Sequence, residues 1–217
     1  MTDLRLYDYA ASANCYKVRL LLAQLARPYE RVPVDIFAGE TLTEEFYRLN
    51  PARTTPVLEI GAGTYLQESN AILFYLAEGT PHLPDERLAR AQVLRWLISE
   101  QTDVIPTMGG LRFRLLTGRL AADDAEARRR HAAAVEVLDL MDVHLRGRDF
   151  LLGDRYTIAD VANYAYVHVA PQAGLELQRF PAVEAWLARI EAQPGFIDDL
   201  EPYPPNAHLG AGSSIYA

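Results

Sequence analysis

The hydrophobic pattern of this chain changes character once, at residues 79–86, and that change limits what it can fold into. Upstream, strand-like alternation and helical stripes take turns. Downstream, every apolar repeat is helical. The stretch from Gly79 to Glu86 carries Pro81 and Pro84 and reads as a linker. Two cores follow from this division, an α/β unit over residues 1–78 and an all-helical unit over 87–217. In the first, Leu4 to Ala10 alternates as a strand. A short polar turn, Ser12-Ala13-Asn14, leads to Val18, Leu21, Leu22 and Leu25, one face of a helix that Pro28 stops. Tyr29 to Asp35 reads as a second strand. Thr43 with Glu44 and Glu45 opens a short helix closed by Asn50-Pro51. Pro56 to Ile60 and Thr64 to Glu68 form two further strands joined through Gly61-Ala62-Gly63, and Ser69 caps a helix holding Ile72, Leu73 and Leu76.

Beyond the linker, Arg87 to about Leu116 is a long helical stretch with a kink expected near Pro106 and Gly109-Gly110. Asp124 to Leu145 repeats an apolar stripe. Thr157-Ile158-Ala159-Asp160 has the form of a capping box, and Pro181 sits at a helix start. The segment from Glu201 to Ala217 is rich in Pro, Gly and Ser and is expected on the surface.

The net charge of −8, from 21 basic and 29 acidic residues, argues against nucleic-acid binding, which needs a basic face. No apolar run approaches the ~18 residues of a membrane helix, and no signal-type apolar core opens the chain. The single cysteine, Cys15, excludes an intramolecular disulfide and fits a reducing compartment, so a cytoplasmic location is expected. Neither a P-loop nor a G-x-S-x-G elbow is present, and the five histidines are too scattered to suggest a metal site. His168, in a mostly apolar helix, reads as a packing histidine.

Three places in the first unit could carry chemistry. Ser12 and Asn14 stand at the start of a helix, where free N–H groups and the dipole favour an anion; either can equally be no more than the cap. Thr55-Pro56-Val57 opens a strand at which a cis proline would let Val57 pair with a peptide-like ligand, or Pro56 is an ordinary strand-opening residue. Glu68-Ser69 lies at a strand-to-helix junction, where a hydroxyl can hold a carboxylate and the acid an ammonium group. Carboxylate and ammonium together describe an α-amino acid.

At these residues the sequence resembles the cytosolic glutathione S-transferases, in particular bacterial enzymes related to the theta and zeta classes. The resemblance covers nearly the whole chain. It rests on Ser12 followed by Lys17-Val18-Arg19, on Asn50-Pro51 followed by Pro56-Val57-Leu58, on Glu68-Ser69-Asn70-Ala71-Ile72 and on Thr157-Ile158-Ala159-Asp160, in that order. It implies a thioredoxin-like N-terminal domain, a helical bundle C-terminal domain and a two-fold homodimer. It also implies glutathione as co-substrate, with no tightly bound cofactor and no metal. The γ-glutamyl group would lie at Glu68 and Ser69, the cysteinyl backbone along Arg53, Thr55, Pro56 and Val57, and the sulfur at Ser12, with Asn14 able to share the hydroxyl's role. A small hydrophobic electrophile or a hydroperoxide would lie between the domains, against Met108, Leu111 and Phe113. The alternative is a non-catalytic binding or dimerisation module of the same fold. Three positions depart from the family pattern. Arg53 and Thr54 stand where a Gly and a Lys, Arg or Gln are common, Phe37 to Thr43 lacks a basic residue for the glycyl carboxylate, and Ala13 replaces a second serine of zeta-like enzymes. Cys15 is expected to have a packing role.

Overall fold

The computed structural model describes residues 4–61 and 63–216; Met1 to Asp3, Ala62 of the expected turn and Ala217 of the expected surface segment lie outside the described residues. The chain divides into two compact units, one built from residues 1–76 with 197–217, the other from 77–196.

The first unit is a four-stranded mixed sheet with strand order β2-β1-β3-β4. Strand β1 (Leu4–Asp8) runs parallel to β2 (Glu30–Pro33) and antiparallel to β3 (Val57–Ile60), which pairs with β4 (Tyr65–Gln67). The parallel pair requires a crossover, and helix α1 (Ala13–Gln24) supplies it. α1 ends where Ala26 turns left-handed at φ 47°, two residues before Pro28. Helix α2 (Glu44–Leu49) starts as expected, with the Thr43 hydroxyl accepting from the Phe46 N–H at 3.1 Å. Helix α3 (Ser69–Ala77) follows β4 directly.

The apolar stripe of α1 understates its burial, because every residue from Cys15 to Leu22 is buried, Lys17 and Arg19 included. Residues beyond Ile197 explain this. The Tyr16 hydroxyl donates to the Ile197 carbonyl at 2.7 Å, and Arg19 Nε donates to both Asp199 carboxylate oxygens at 3.0 and 2.9 Å. Arg19 also meets buried Asp8 at 2.6 Å, and Arg31 closes on the other Asp8 oxygen. The stretch 197–216, which the sequence reading gave to the helical unit, is thus part of the first. Its Pro/Gly/Ser composition hides the few side chains that fasten it.

The second unit contains α4 (Arg87–Ser99), α5 (Gly110–Leu116), α6 (Ala125–Leu145), α7 (Ile158–Val167) and α8 (Pro181–Glu191). Between α4 and α5 the chain stays helical with π-type bonding over Glu100–Gly109, so Pro106 sits within a wider turn. Gly109 lies flat on Tyr166; a Cβ there would fall 2.6 Å from the ring. The linker belongs to this unit as well. Leu83 and Pro84 are buried, and the His82 carbonyl accepts from the Ile158 N–H at 3.0 Å. The capping box is present at the start of α7, and Trp186, Val161, Leu138 and Ile190 fill the core. His168 stacks on Tyr164 with centroids 4.6 Å apart and its Nδ1 2.7 Å from the Tyr164 carbonyl, a packing arrangement. No helix among the described residues is long and apolar enough to cross a membrane.

Candidate functional site

Two turns of the first unit meet through their side chains. The β1–α1 turn ends in Ser12, whose extended backbone makes it the N-cap of α1, and its Oγ accepts from the Cys15 N–H at 3.3 Å. The β4–α3 turn runs through Glu68 and Ser69. Ser69 is the first helical residue rather than the cap; that place falls to Glu68, whose carbonyl receives the Ile72 N–H at 2.9 Å. Glu68 takes a left-handed φ of 67°, a conformation that costs a non-glycine residue about 1 kcal/mol. Buried Ser69 donates from its hydroxyl to Asn14 Oδ1 at 3.1 Å, and Lys17 Nζ donates to Asn70 Oδ1 at 2.8 Å. Both helix N-termini are thereby locked to one another, so their unpaired N–H groups and positive dipole ends fall in one place.

The third expected element adjoins them. Buried Asn50 shapes the turn before Pro56: its Nδ2 donates to the Thr54 carbonyl at 2.9 Å, and its Oδ1 accepts from the Ala52 N–H at 3.0 Å. The Thr55–Pro56 peptide is cis. Val57 stands opposite Tyr7 on one flank and Gln67 on the other, so β3 is interior from its first residue and, against the expectation, Val57 offers no open edge to an added strand; a ligand backbone can approach only before it, at Thr55 and Pro56.

Arg53 also has a left-handed φ, 58°, where the family favours glycine. Its guanidinium reaches the Thr41 and Leu42 carbonyls and lies 5.2 Å over the Tyr47 ring. It therefore brings a cation to the 37–43 loop, which has none of its own. Of the three described non-glycine residues with positive φ, two are at this site.

Cys15 is fully buried, and that burial, with the nearby Asp8 charge, pushes its thiol up to about 12. It accepts the Tyr9 N–H at 3.4 Å and serves the packing of the turn.

Met108 and Leu111, expected against a second substrate, are each 1% exposed, so neither presents open surface, and Phe113 is half-buried under the Arg119 guanidinium at 4.8 Å. Leu111 also lines a cavity of about 500 Å³ in the second unit, with Leu115, Arg128 and His131. The sequence reading missed the Ser69–Asn14 bond, the bond from buried Lys17 to Asn70, and Tyr9, whose buried hydroxyl has no hydrogen-bond partner among the described residues. The alternating pattern of β1 exposed nothing of that orphan.

Residues 2–78 match the family model for the glutathione S-transferase N-terminal domain, and residues 104–194 that for its C-terminal domain. Glutathione S-transferase 3 of Zea mays is 34% identical over 94% of this chain and 97% of its own length. A glutathione S-transferase solved from Pseudomonas fluorescens aligns with a TM-score of 0.88 at 40% identity, covering 92% of this chain and 100% of that one. A second glutathione transferase family member from P. fluorescens, solved with two glutathione bound, aligns at 0.79 with 30% identity, covering 89% and 90%. With its mixed-sheet, thioredoxin-like first domain and helical second domain, the chain belongs to the glutathione S-transferase family.

Proposed function

We propose that the chain is a glutathione transferase whose first unit binds glutathione and activates its thiol. The observation that carries this reading is the lock between the starts of α1 and α3 through Asn14 and Ser69, which gathers two anion-favouring helix ends beside Glu68. The γ-glutamyl carboxylate would take Ser69 and the amides behind it, and its ammonium group Glu68. The cysteinyl backbone would lie along Thr55 and Pro56, just before β3 opens, and Arg53 supplies a cation toward the glycyl end. The P. fluorescens relative solved with glutathione supports this choice of ligand.

Ser12 has the geometry for the thiol step. Its Oγ already accepts the Cys15 N–H, so its own proton is free to turn toward a ligand sulfur. A free thiol with pKa ~8.5 is only a few per cent thiolate at neutral pH. A hydroxyl donor plus the helix end favours S⁻ over SH, and a shift of about two units corresponds to roughly 2.7 kcal/mol, within the range of one charge-assisted hydrogen bond and a dipole. The thiol proton leaves to solvent. The sulfur lone pair then forms a C–S bond with a small hydrophobic electrophile as a leaving group departs or an epoxide C–O bond opens; with a hydroperoxide it takes the terminal oxygen as the O–O bond breaks and the alkoxide leaves as the alcohol with a proton from solvent, and a second glutathione thiol then attacks the sulfenic acid sulfur, giving the disulfide and water.

Assembly as a homodimer belongs to the same reading. Leu88, Leu94 and Ile98 of α4 are 71%, 49% and 54% exposed, apolar surface that a second copy can cover. The functional test is calorimetric titration with glutathione, followed by turnover on halo-aromatics, epoxides and hydroperoxides. Ser12→Ala should keep glutathione affinity and lower turnover at least about tenfold, the kinetic equivalent of ~1.4 kcal/mol. Binding without turnover of any electrophile would favour the non-catalytic module instead, and unchanged turnover in the variant would remove Ser12 from the chemistry.

A further inference from the structure

The pair Gly109-Gly110 lies inside a continuous run of helix, where glycine weakens the backbone. Tyr166 accounts for Gly109. Gly110 makes room for something else. A Cβ built there would fall 3.0 Å from Arg114 Nη1 and 3.3 Å from Arg130 Nη1, so guanidiniums from two different helices close on one bare point of backbone. Main-chain carbonyls hold both of them there. Arg114, one turn along α5, donates from Nη1 to the Gly110 carbonyl at 3.0 Å, and Arg130 of α6 donates from Nη1 to the Pro106 carbonyl in the widened turn. Both side chains are half-buried.

Like charges are brought together here with too little acid to offset them. Among the described residues, Glu126 is the one carboxylate within ion-pair distance: its Oε1 receives Arg130 Nε at 2.7 Å, and its Oε2 is taken by Arg129. Asp103 and Asp124 are engaged elsewhere, Asp103 by the Ser99 hydroxyl at 2.7 Å and Asp124 by the Ala121 N–H at 2.8 Å. Arg114 has no acidic partner among the described residues; partial burial and the Arg130 charge lower its pKa against the opposing pull of Glu126. Three guanidiniums thus share one carboxylate, which leaves two positive charges. The donors point the same way. A guanidinium has five N–H bonds. Arg114 commits one of them and Arg130 two, and the rest have no acceptor among the described residues. Paired forks of this kind suit carboxylates and phosphates alike. A phosphate group carries a charge of about −1.5 to −2 at neutral pH and has three accepting oxygens, so it matches the residual charge that a carboxylate would only halve.

We propose that Arg114 and Arg130, converging over Gly110, form an oxyanion site in the second unit for the phosphate group of a small molecule, with Glu126 holding Arg130 in place. The site draws only on residues 106–130 and stands or falls independently of the glutathione reading. Free phosphate and a phosphate monoester present the same group, and the test separates them.

The full chain is titrated calorimetrically with inorganic phosphate, at an ionic strength held constant with chloride, and should bind it with a Kd of about 1 mM or below. Phenyl phosphate, run beside it, reports the source: binding at least as tight supports an esterified ligand, and weaker binding supports the free ion. Acetate should bind at least about tenfold more weakly than phosphate. Arg114→Gln and Arg130→Gln should each weaken phosphate binding at least about tenfold. Gly110→Leu keeps every charge but occupies the point of convergence, and should do the same. Arg155→Gln, whose guanidinium is paired with Glu86 elsewhere in the unit, should stay within about twofold of wild type. Phosphate should also raise the Tm of the wild type above its value in chloride, and not that of the three site variants. Circular dichroism reports whether each variant is folded; if Arg130→Gln or Gly110→Leu is not, Arg114→Gln, which breaks no ion pair, decides alone. The proposal is overturned if the wild type binds phosphate no better than chloride, if acetate binds as tightly, if a folded site variant keeps wild-type affinity, or if Arg155→Gln weakens binding as much as they do.

Discussion

Replacing Asp160 should be among the most damaging single changes in the second unit. Its carboxylate is fully buried at the start of α7 and accepts four hydrogen bonds. Oδ1 receives the Leu151 N–H at 2.8 Å and the Trp186 indole N–H at 2.9 Å; Oδ2 receives the Thr157 N–H at 2.9 Å and the Thr157 hydroxyl at 3.2 Å. The hydroxyl can rotate to another acceptor, but the three N–H groups cannot. At about 1–3 kcal/mol for each stranded donor, with partial relief from water entering the gap, Asp160→Ala should cost about 3–5 kcal/mol. Asp160→Asn keeps one acceptor oxygen and should lose about half as much. Burial, opposed by these bonds, pushes the carboxyl up from 3.8 to about 6. A folded-state pKa above the unfolded one means that the folded chain takes up the proton more readily. This contribution is complete below the unfolded pKa and disappears as the pH rises through about 6. Between pH 7 and pH 5, wild type should therefore gain about 1 kcal/mol over Asp160→Asn. Urea unfolding followed by tryptophan fluorescence and circular dichroism measures both effects, with an unchanged m-value confirming like-for-like transitions. A loss below about 1 kcal/mol in Asp160→Ala, or a gap between wild type and Asp160→Asn that is flat or shrinks on acidification, would refute the reasoning.

The native Cys15 thiol, fully buried and pushed up to about 12, should react with iodoacetamide at pH 8 at least ~100-fold more slowly than in unfolded chain; mass spectrometry follows the adduct, and Cys15→Ala should keep turnover within a few-fold. Arg19→Met should destabilise by about 3–5 kcal/mol in a denaturant titration, because it leaves buried Asp8 with a half-exposed partner in Arg31, whereas Asp199→Asn, at a side chain 38% exposed, should cost about 1 kcal/mol or less. Sedimentation equilibrium at micromolar concentration should give about twice 24.3 kDa, and a clean monomer would count against the homodimer.

What the sequence made legible was local. The Thr43 and Thr157 caps, the helical stripes and the order of the strands depend on residues a few positions apart, and the structure has them. Ser69 was displaced by one residue because the left-handed turn at Glu68 is made without the glycine that would announce it. Ser12, Asn14, Glu68 and Ser69 were each visible as helix-start chemistry, but the bond that joins Asn14 to Ser69 spans 55 positions and has no pattern of its own. The same holds for Arg19 and Asp199, 180 positions apart. Hydrophobic periodicity counts an arginine as surface; here two carboxylates make it interior. Pro106 pointed to an interruption of the helix, and there a wider π-type turn accommodates the missing N–H. Apolar side chains serve cores and pockets alike, so the pattern around Met108 and Leu111, each 1% exposed, does not separate the two roles.

The stretch 197–216 also sets an order of events during synthesis. The first unit draws on residues 197–216, which are made only after the whole second unit, residues 77–196. At roughly 5–20 residues per second, about 120 intervening residues take some 6–24 s. Through that interval Arg19 and Tyr16 are without Asp199 and Ile197, and the Phe37 carbonyl is without the Ser213 N–H. The N-terminal half cannot finish first and wait. A ribosome stalled within residues 77–196 therefore holds a first unit that lacks its last segment.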